Sequence, residues 1–131
     1  MVRSNFPGGF PDDSLNAFTA KGRTPKEREM FATVKKLVRL HRERKSLSYG
    51  EMIHFPPVNE VYMYIRIYQD EKTLVIVNNR DDAQKVSLSP VRGYFEGARA
   101  VKDLMTGKTV DLTNATDIDL PANEALVLGI D

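Results

Sequence analysis

Few residues in this chain could do acid, base or nucleophilic chemistry, and they are scattered along it. The chain has two histidines, His41 and His54, and no cysteine. Neither histidine has a serine or a carboxylate at the spacing of a catalytic set. His41 falls on the apolar side of a predicted helix, and His54 falls in a predicted strand. We interpret both as structural residues, with a role as metal ligand or base as the alternative.

Two pairs of adjacent carboxylates, Asp12-Asp13 and Asp81-Asp82, have the residue types that bind calcium or act on a sugar. Both pairs lie in turn-like sequence, where aspartate closes turns on its own account, and neither has the further oxygen ligands of a calcium loop. Gly8-Gly9 lacks the spacing of a phosphate-binding loop. The sequence therefore predicts no catalytic residue, no metal site and no cofactor in this chain.

The main candidate for ligand binding is a row of side chains at alternate positions, Tyr62, Tyr64, Arg66 and Tyr68. Alternate residues of a strand share one face, so the four are expected to lie side by side. Aromatic rings in a row can stack on sugar rings while their hydroxyls form hydrogen bonds. The alternative, which we favour, is packing against a second sheet or a neighbouring domain, because strands are rich in tyrosine in any case.

One helix is predicted at residues 24–45. Thr24, Pro25 and Glu27 form a capping box with proline at the first helical position, and a basic last turn ends near Lys45. Residues 1–23 are predicted to be loop. The apolar side of the helix contains Phe31, Val34, Leu37, Val38 and His41. Such a helix must pack on another surface to be stable in water.

After Ser46 the apolar period changes from 3.6 to 2, which predicts strands. The clearest are 61–68 and 73–77, joined as a hairpin. Further strands are predicted at 47–55, 84–88, 98–103, 108–112, 116–120 and 124–130, with turns at Thr106-Gly107 and Pro121-Ala122-Asn123. The predicted fold is mainly β: an N-terminal loop and one long helix (1–45), followed by an eight-stranded antiparallel Greek-key β-sandwich (46–131).

The bulk properties limit the classes of partner. A chain of 131 residues fits one domain, and its net charge of +1 provides no positive field for nucleic acid. No run of about 18 apolar residues occurs, and the first ten residues do not resemble a signal peptide. We therefore expect neither a nucleic acid nor a membrane partner. The absence of cysteine does not distinguish cytoplasm from periplasm, so the localisation stays open.

The first residues carry a family resemblance. Arg3-Ser4-Asn5-Phe6-Pro7-Gly8-Gly9-Phe10-Pro11-Asp12-Asp13, with Asn16-Ala17-Phe18, resembles the segment after the eighth barrel strand of α-amylase-family glycoside hydrolases of the neopullulanase and cyclomaltodextrinase type. The resemblance continues through helix 24–45, which is similar to the eighth barrel helix, and then through Leu47-Ser48-Tyr49-Gly50-Glu51, Leu120-Pro121 and Ala125-Leu126-Val127-Leu128. It therefore covers essentially the whole chain.

The resemblance implies a β-sandwich that follows a (β/α)₈ barrel. The parent protein would hydrolyse α-glucosidic bonds in starch-derived oligosaccharides with retention, using paired carboxylates. In that family these carboxylates come from the fourth, fifth and seventh barrel strands, which would precede Met1. The chain is then a fragment of a hydrolase without its catalytic carboxylates. Loops like 1–23 lie on the active-site side, so Arg3, Phe6 or Phe10 could touch substrate in the intact protein.

Two hypotheses for function follow, with a third that we do not expect. In the first, the β-sandwich stabilises and shields the catalytic barrel of an α-glucan hydrolase, which is its partner. In the second, it is a module that binds maltooligosaccharide or starch through the face of Tyr62, Tyr64 and Tyr68, with an α-glucan oligosaccharide as partner. The third, an independent enzyme, would require hydrolysis by the isolated chain.

Overall fold

The computed structural model describes residues 6–98, 101–112 and 114–131. The chain divides into two compact units, Met1–Arg39 and Leu40–Asp131. Its helices and strands are α1 (Pro25–Glu43), α2 (Lys45–Tyr49), β1 (Glu51–Val58), β2 (Val61–Tyr68), β3 (Glu71–Asn78), β4 (Gln84–Ser87), a 3₁₀ helix (Ser89–Tyr94), β5 (Val101–Asp103), β6 (Asp117–Leu120) and β7 (Ala125–Ile130).

Helix α1 begins where the capping box predicts. The backbone N–H of Thr24 donates to Oε2 of Glu27 at 2.7 Å, and the backbone N–H of Glu27 donates to Oγ1 of Thr24 at 3.3 Å. The two hydrogen bonds satisfy donors that a helix start otherwise leaves free. The Thr24 backbone, and then its hydroxyl, lower the pKa of the Glu27 carboxyl because they stabilise its charged form.

The end of the predicted helix and the start of the next strand were wrong. Helix α1 ends at Glu43, Arg44 is extended with φ −95° and ψ 118°, and Lys45–Tyr49 forms the short helix α2. Residues 47–49, predicted as the start of a strand, are therefore helical. None of the helices in the described part of the chain is long and apolar enough to cross a membrane.

The first sheet has five antiparallel strands in the order β1-β2-β3-β7-β5. Strand β2 coincides with the predicted strand 61–68, and β3 begins two residues before the predicted one. Tyr64 pairs with His54 on one side and with Val75 on the other. The tight turn between β1 and β2 holds Asn59 and Glu60 at φ 50° and 59°, as a two-residue hairpin loop requires.

The second sheet consists of β4 and β6. The chain leaves the first sheet after β3, and β7 inserts between β3 and β5 on its return. The core lies on the inner face of the first sheet, where Ile65, Leu74, Ile76 and Leu128 are fully buried. The predicted mainly-β, antiparallel sandwich is confirmed as a fold class.

The described residues contain seven strands, whereas eight were predicted. Segment 108–112 forms only one isolated bridge, between Thr109 and Lys102. A short loop closes there, because the backbone N–H of Gly107 donates to the Asp103 carbonyl at 2.7 Å. Two backbone hydrogen bonds flank the bridge: Asp103 donates to the Lys108 carbonyl at 2.9 Å, and Val110 donates to the Val101 carbonyl at 2.8 Å. Of the predicted strand 98–103, residues 99 and 100 lie outside the described ranges.

Candidate functional site

The four predicted binding residues lie on the outer face of β2. Their neighbours Val61, Met63 and Ile65 point into the core, with 8%, 8% and 0% of their surface exposed. Tyr62, Tyr64, Arg66 and Tyr68 alternate with these core residues, and all four are half-buried. Because alternate residues of a strand share a face, the row exists as a geometric feature. The other contacts of its members decide what the row can bind.

Tyr62 and Tyr64 form one aromatic pair. Their ring centroids are 5.6 Å apart and their planes are inclined by 36°. Burial raises the pKa of the Tyr64 phenol, and this effect outweighs the nearby positive charge of Arg66, which acts in the opposite direction. At neutral pH the Tyr64 hydroxyl is therefore protonated and can both donate and accept a hydrogen bond.

Arg66 separates this pair from Tyr68 along the strand, and its guanidinium is already bonded to backbone. Nε donates to the carbonyl of Ser46 at 3.0 Å, and Nη2 donates to the carbonyl of Gly50 at 2.8 Å. The Ser46 carbonyl also accepts from the backbone N–H of Gly50, the residue that follows α2, so both of the carbonyls that Arg66 contacts lie at the closure of this helix. Arg66 thus caps a helix, a role that the alternation of residues did not reveal.

Helix α2 is fixed on the outer face by a buried polar cluster of Arg44, Ser46 and Thr73. The hydroxyls of Ser46 and Thr73 are fully buried and lie 2.8 Å apart. Nε of Arg44 donates to the Thr73 hydroxyl at 3.0 Å, and its Nη2 donates to the Lys72 carbonyl at 2.9 Å. Satisfied networks of this kind hold a single geometry. No local sequence signal predicts the cluster, because Thr73 lies 27 residues from Ser46 and 29 from Arg44 along the chain.

Tyr68 belongs to a second aromatic pair, with Tyr49 at the end of α2. The ring centroids are 6.2 Å apart, inclined by 52°, and Nζ of Lys45 lies 5.9 Å from the Tyr68 centroid. The surface of Tyr49 is 76% exposed. Tyr49 is not among the predicted binding residues because the apolar pattern predicts a strand over 47–55, whereas Lys45–Tyr49 is helical. The glycine after it, at a helix end, was the available signal for a short helix.

The paired carboxylates have the turn contacts that were expected of them. Oδ2 of Asp13 accepts from the backbone N–H of Gly8 at 2.8 Å, and Oδ1 of Asp82 accepts from Nε of Arg80 at 2.7 Å. His41 and His54 are both exposed. Throughout the described ranges, no three potential metal-binding side chains come together.

The loop residues named by resemblance are placed only in part. Phe6 and Phe10 are exposed, and Phe6 contacts the ring of Phe18 at a centroid distance of 5.1 Å. Arg3 lies outside the described residues. Their contact with substrate in a longer protein stays a prediction.

The larger of two surface clefts, of about 650 Å³, includes two carboxylates in its lining, Glu96 and Asp111. Both residues are exposed. The general acid of a retaining glycosidase works from a buried environment, whereas these two carboxylates are exposed to water. The smaller cleft, of about 330 Å³, is mostly apolar and lies beside Phe55 and Met63. Neither cleft has the burial that acid catalysis of sugar hydrolysis demands.

Comparison with known proteins places this geometry in a family. The sequence model of the cyclo-malto-dextrinase C-terminal domain matches residues 52–129. An α-amylase from Anoxybacillus is 25% identical, with a TM-score of 0.67, over 83% of this chain and 26% of that one.

A variant of AmyP solved with maltotriose is 24% identical, with a TM-score of 0.67, over 82% of this chain and 22% of that one. A trehalose-6-phosphate hydrolase from Bacillus licheniformis is 22% identical, with a TM-score of 0.64, over 83% of this chain and 22% of that one. The chain thus spans about a quarter of the length of these enzymes. The family match covers more than half of the chain, which therefore belongs to the cyclo-malto-dextrinase C-terminal domain family, a C-terminal domain of α-amylase-family glycoside hydrolases.

Proposed function

We propose that this chain is a non-catalytic C-terminal part of an α-glucan-hydrolysing enzyme of the α-amylase family, and that it stabilises and shields the catalytic barrel. The observation that carries the proposal is the exposed apolar side of α1. Five large apolar side chains of this helix are between 43% and 61% exposed: Met30, Phe31, Val34, Leu37 and Val38. The helix has no buried residue at all.

An apolar side of this kind requires a covering surface. Burying a side chain such as leucine or phenylalanine contributes about 1.5–3 kcal/mol, so leaving five of them in water forgoes a large stabilisation. A patch of this type on a soluble protein marks an interaction surface. The solved enzymes of the same fold have roughly three quarters of their length outside the part that this chain matches, which is ample for a catalytic barrel.

We propose starch-derived oligosaccharides, in the manner of neopullulanases, as the substrate class of the parent enzyme, and the family match supports this proposal. The β domain does not set this specificity, since an α-amylase and a trehalose-6-phosphate hydrolase have the same fold. The residues that select the sugar belong to the barrel.

The stabilising role can be tested with the chain and its catalytic barrel as two polypeptides. We expect the chain to lengthen the thermal inactivation half-life of the barrel, and the double variant Val34→Glu, Leu37→Glu to lose this effect. Lys35→Glu, on the polar side of α1, is the matched control and should keep it. An inactivation half-life that does not change when the chain is added would overturn the proposal. The isolated chain should not hydrolyse a chromogenic maltoside.

The second candidate function is binding of an α-glucan by the aromatic residues of the outer face, Tyr62, Tyr64 and Tyr68. The observation that favours it is that these rings form pairs with ring neighbours at centroid distances of 5.6 and 6.2 Å. Titration of the chain with maltoheptaose, followed by amide chemical shifts, tests it. The absence of any shift at millimolar sugar would refute it.

A further inference from the structure

We infer that an α-glucan binds this domain at the Tyr49–Tyr68 pair with Lys45, and that Tyr62 and Tyr64 are packing residues. The inference rests on the second candidate function above and names its site. It concerns a helix residue, Tyr49, that sequence alternation on β2 does not select.

The first reason is ring exposure. A sugar ring stacks on an aromatic face only when that face is open to solvent, and Tyr49 is 76% exposed. Tyr62, Tyr64 and Tyr68 are all half-buried, so Tyr49 presents the most exposed ring on this face. Stacking on Tyr49 needs no other side chain to move.

The second reason is preorganisation. Helix α2 is held from below by the buried hydroxyls of Ser46 and Thr73, and its last turn is capped by Arg66. Gly50 closes the helix so tightly against β2 that a Cβ there would lie 2.9 Å from the Ile67 carbonyl oxygen. A platform fixed in the free protein loses little conformational entropy on binding.

The third reason is the chemistry around the rings. The Tyr49 and Tyr68 rings contact each other at a centroid distance of 6.2 Å, so a pyranose unit would stack on the open face of Tyr49 and not between the two rings. The Lys45 ammonium, 5.9 Å from the Tyr68 centroid, can donate to sugar hydroxyls, and the two phenols can donate or accept. The arrangement suits a neutral sugar with one apolar face, such as the glucose units of an α-glucan.

The test is a titration of the full chain and its variants with maltoheptaose. We expect a dissociation constant on the order of 1 mM for the unaltered chain, and about a tenfold weakening in Tyr49→Ala. Tyr49→Phe should retain binding, because the stacking face is kept. Val58→Ala, at an exposed position outside the tyrosine row, is the control and should bind as the unaltered chain does. Because Tyr49 is exposed, Tyr49→Ala should leave the amide spectrum of the sandwich unchanged.

The outcomes separate the site from the function. Loss of binding in Tyr62→Ala, with Tyr49→Ala unaffected, would overturn this site while the glucan-binding function stands. Failure of the unaltered chain to bind at about 10 mM sugar would overturn both the site and the glucan-binding function. The barrel-stabilising role has its own measurement and would survive either result.

Discussion

The buried cluster under α2 predicts a large effect from Arg44→Ala. The Arg44 side chain is 12% exposed and makes charged hydrogen bonds to the Thr73 hydroxyl and the Lys72 carbonyl. Hydrogen bonds to charged groups contribute about 1.5–3 kcal/mol each. The Thr73 hydroxyl keeps its Ser46 partner in the variant, which limits the desolvation penalty. The ion pair with Asp131 adds at most about 1 kcal/mol, since that carboxylate is 62% exposed.

Because the Thr73 hydroxyl keeps a partner, we count in full only the bond to the Lys72 carbonyl and add the ion pair, which gives an expected loss of about 2–4 kcal/mol in the free energy of unfolding. Urea unfolding followed by circular dichroism measures it. With a slope of about 2 kcal/mol per molar urea, which is typical of a small protein, the midpoint should fall by about 1–2 M at unchanged slope.

Two further variants separate the contacts of Arg44 from its charge alone. Arg42 lies in the last turn of α1, has the same charge as Arg44 and is exposed. Arg42→Ala should therefore change the free energy of unfolding by less than about 0.5 kcal/mol. Arg44→Lys keeps the charge but cannot reach several acceptors with one planar group, so it should recover only part of the loss. If Arg44→Ala unfolds at the same urea concentration as the unaltered chain, the cluster does not hold α2.

Further perturbations have defined outcomes. Gly50→Ala should destabilise the fold by about 1–3 kcal/mol, since the new Cβ would meet the backbone of the neighbouring strand. Gly93→Ala has open space for its Cβ and should be close to neutral, and thermal unfolding compares the two variants. Asn78→Ala removes a buried amide that donates to the Asp82 carbonyl at 3.0 Å and to the Pro121 carbonyl at 2.8 Å, and it should cost about 1–3 kcal/mol in urea unfolding. Thr24→Ala should cost about 1 kcal/mol of helix stability, seen as faster amide exchange in the first turn of α1. The pKa of Tyr64 is raised above 10.0 in the folded chain, so the contribution of the neutral phenol to folding stability is intact below that pH and is lost as pH rises through the higher folded value. The urea midpoint of the unaltered chain should therefore fall at alkaline pH, and Tyr64→Phe should reduce this fall.

Local sequence signals predicted the elements whose stability is itself local. The start of α1 depends on Thr24 and Glu27, which are three residues apart, and β2 follows from eight residues of alternation. Both signals act through nearest neighbours along the chain, so a single sequence is enough to read them.

Helix α2 could not be predicted in this way. Five residues are too few to form a stable helix by themselves. Its support comes from Arg66, 20 residues away along the chain, and from Thr73, 27 residues from Ser46. Tertiary contacts of this kind override local propensity. The aromatic pair of Tyr49 and Tyr68 was missed for the same reason, because it exists only once α2 is in place.

The same contacts decide which members of the tyrosine row can recognise a ligand. To bind a sugar, Arg66 would have to give up its hydrogen bonds to the carbonyls of Ser46 in α2 and of Gly50 after it, which as bonds to a charged group contribute about 1.5–3 kcal/mol each, and would gain hydrogen bonds that the sugar already makes to water. The exchange is unfavourable, so Arg66 stays a helix cap. Tyr49 has no such obligation to the fold, since its side chain is largely in water. A residue that a face offers by alternation is available for binding only when the fold does not already use it.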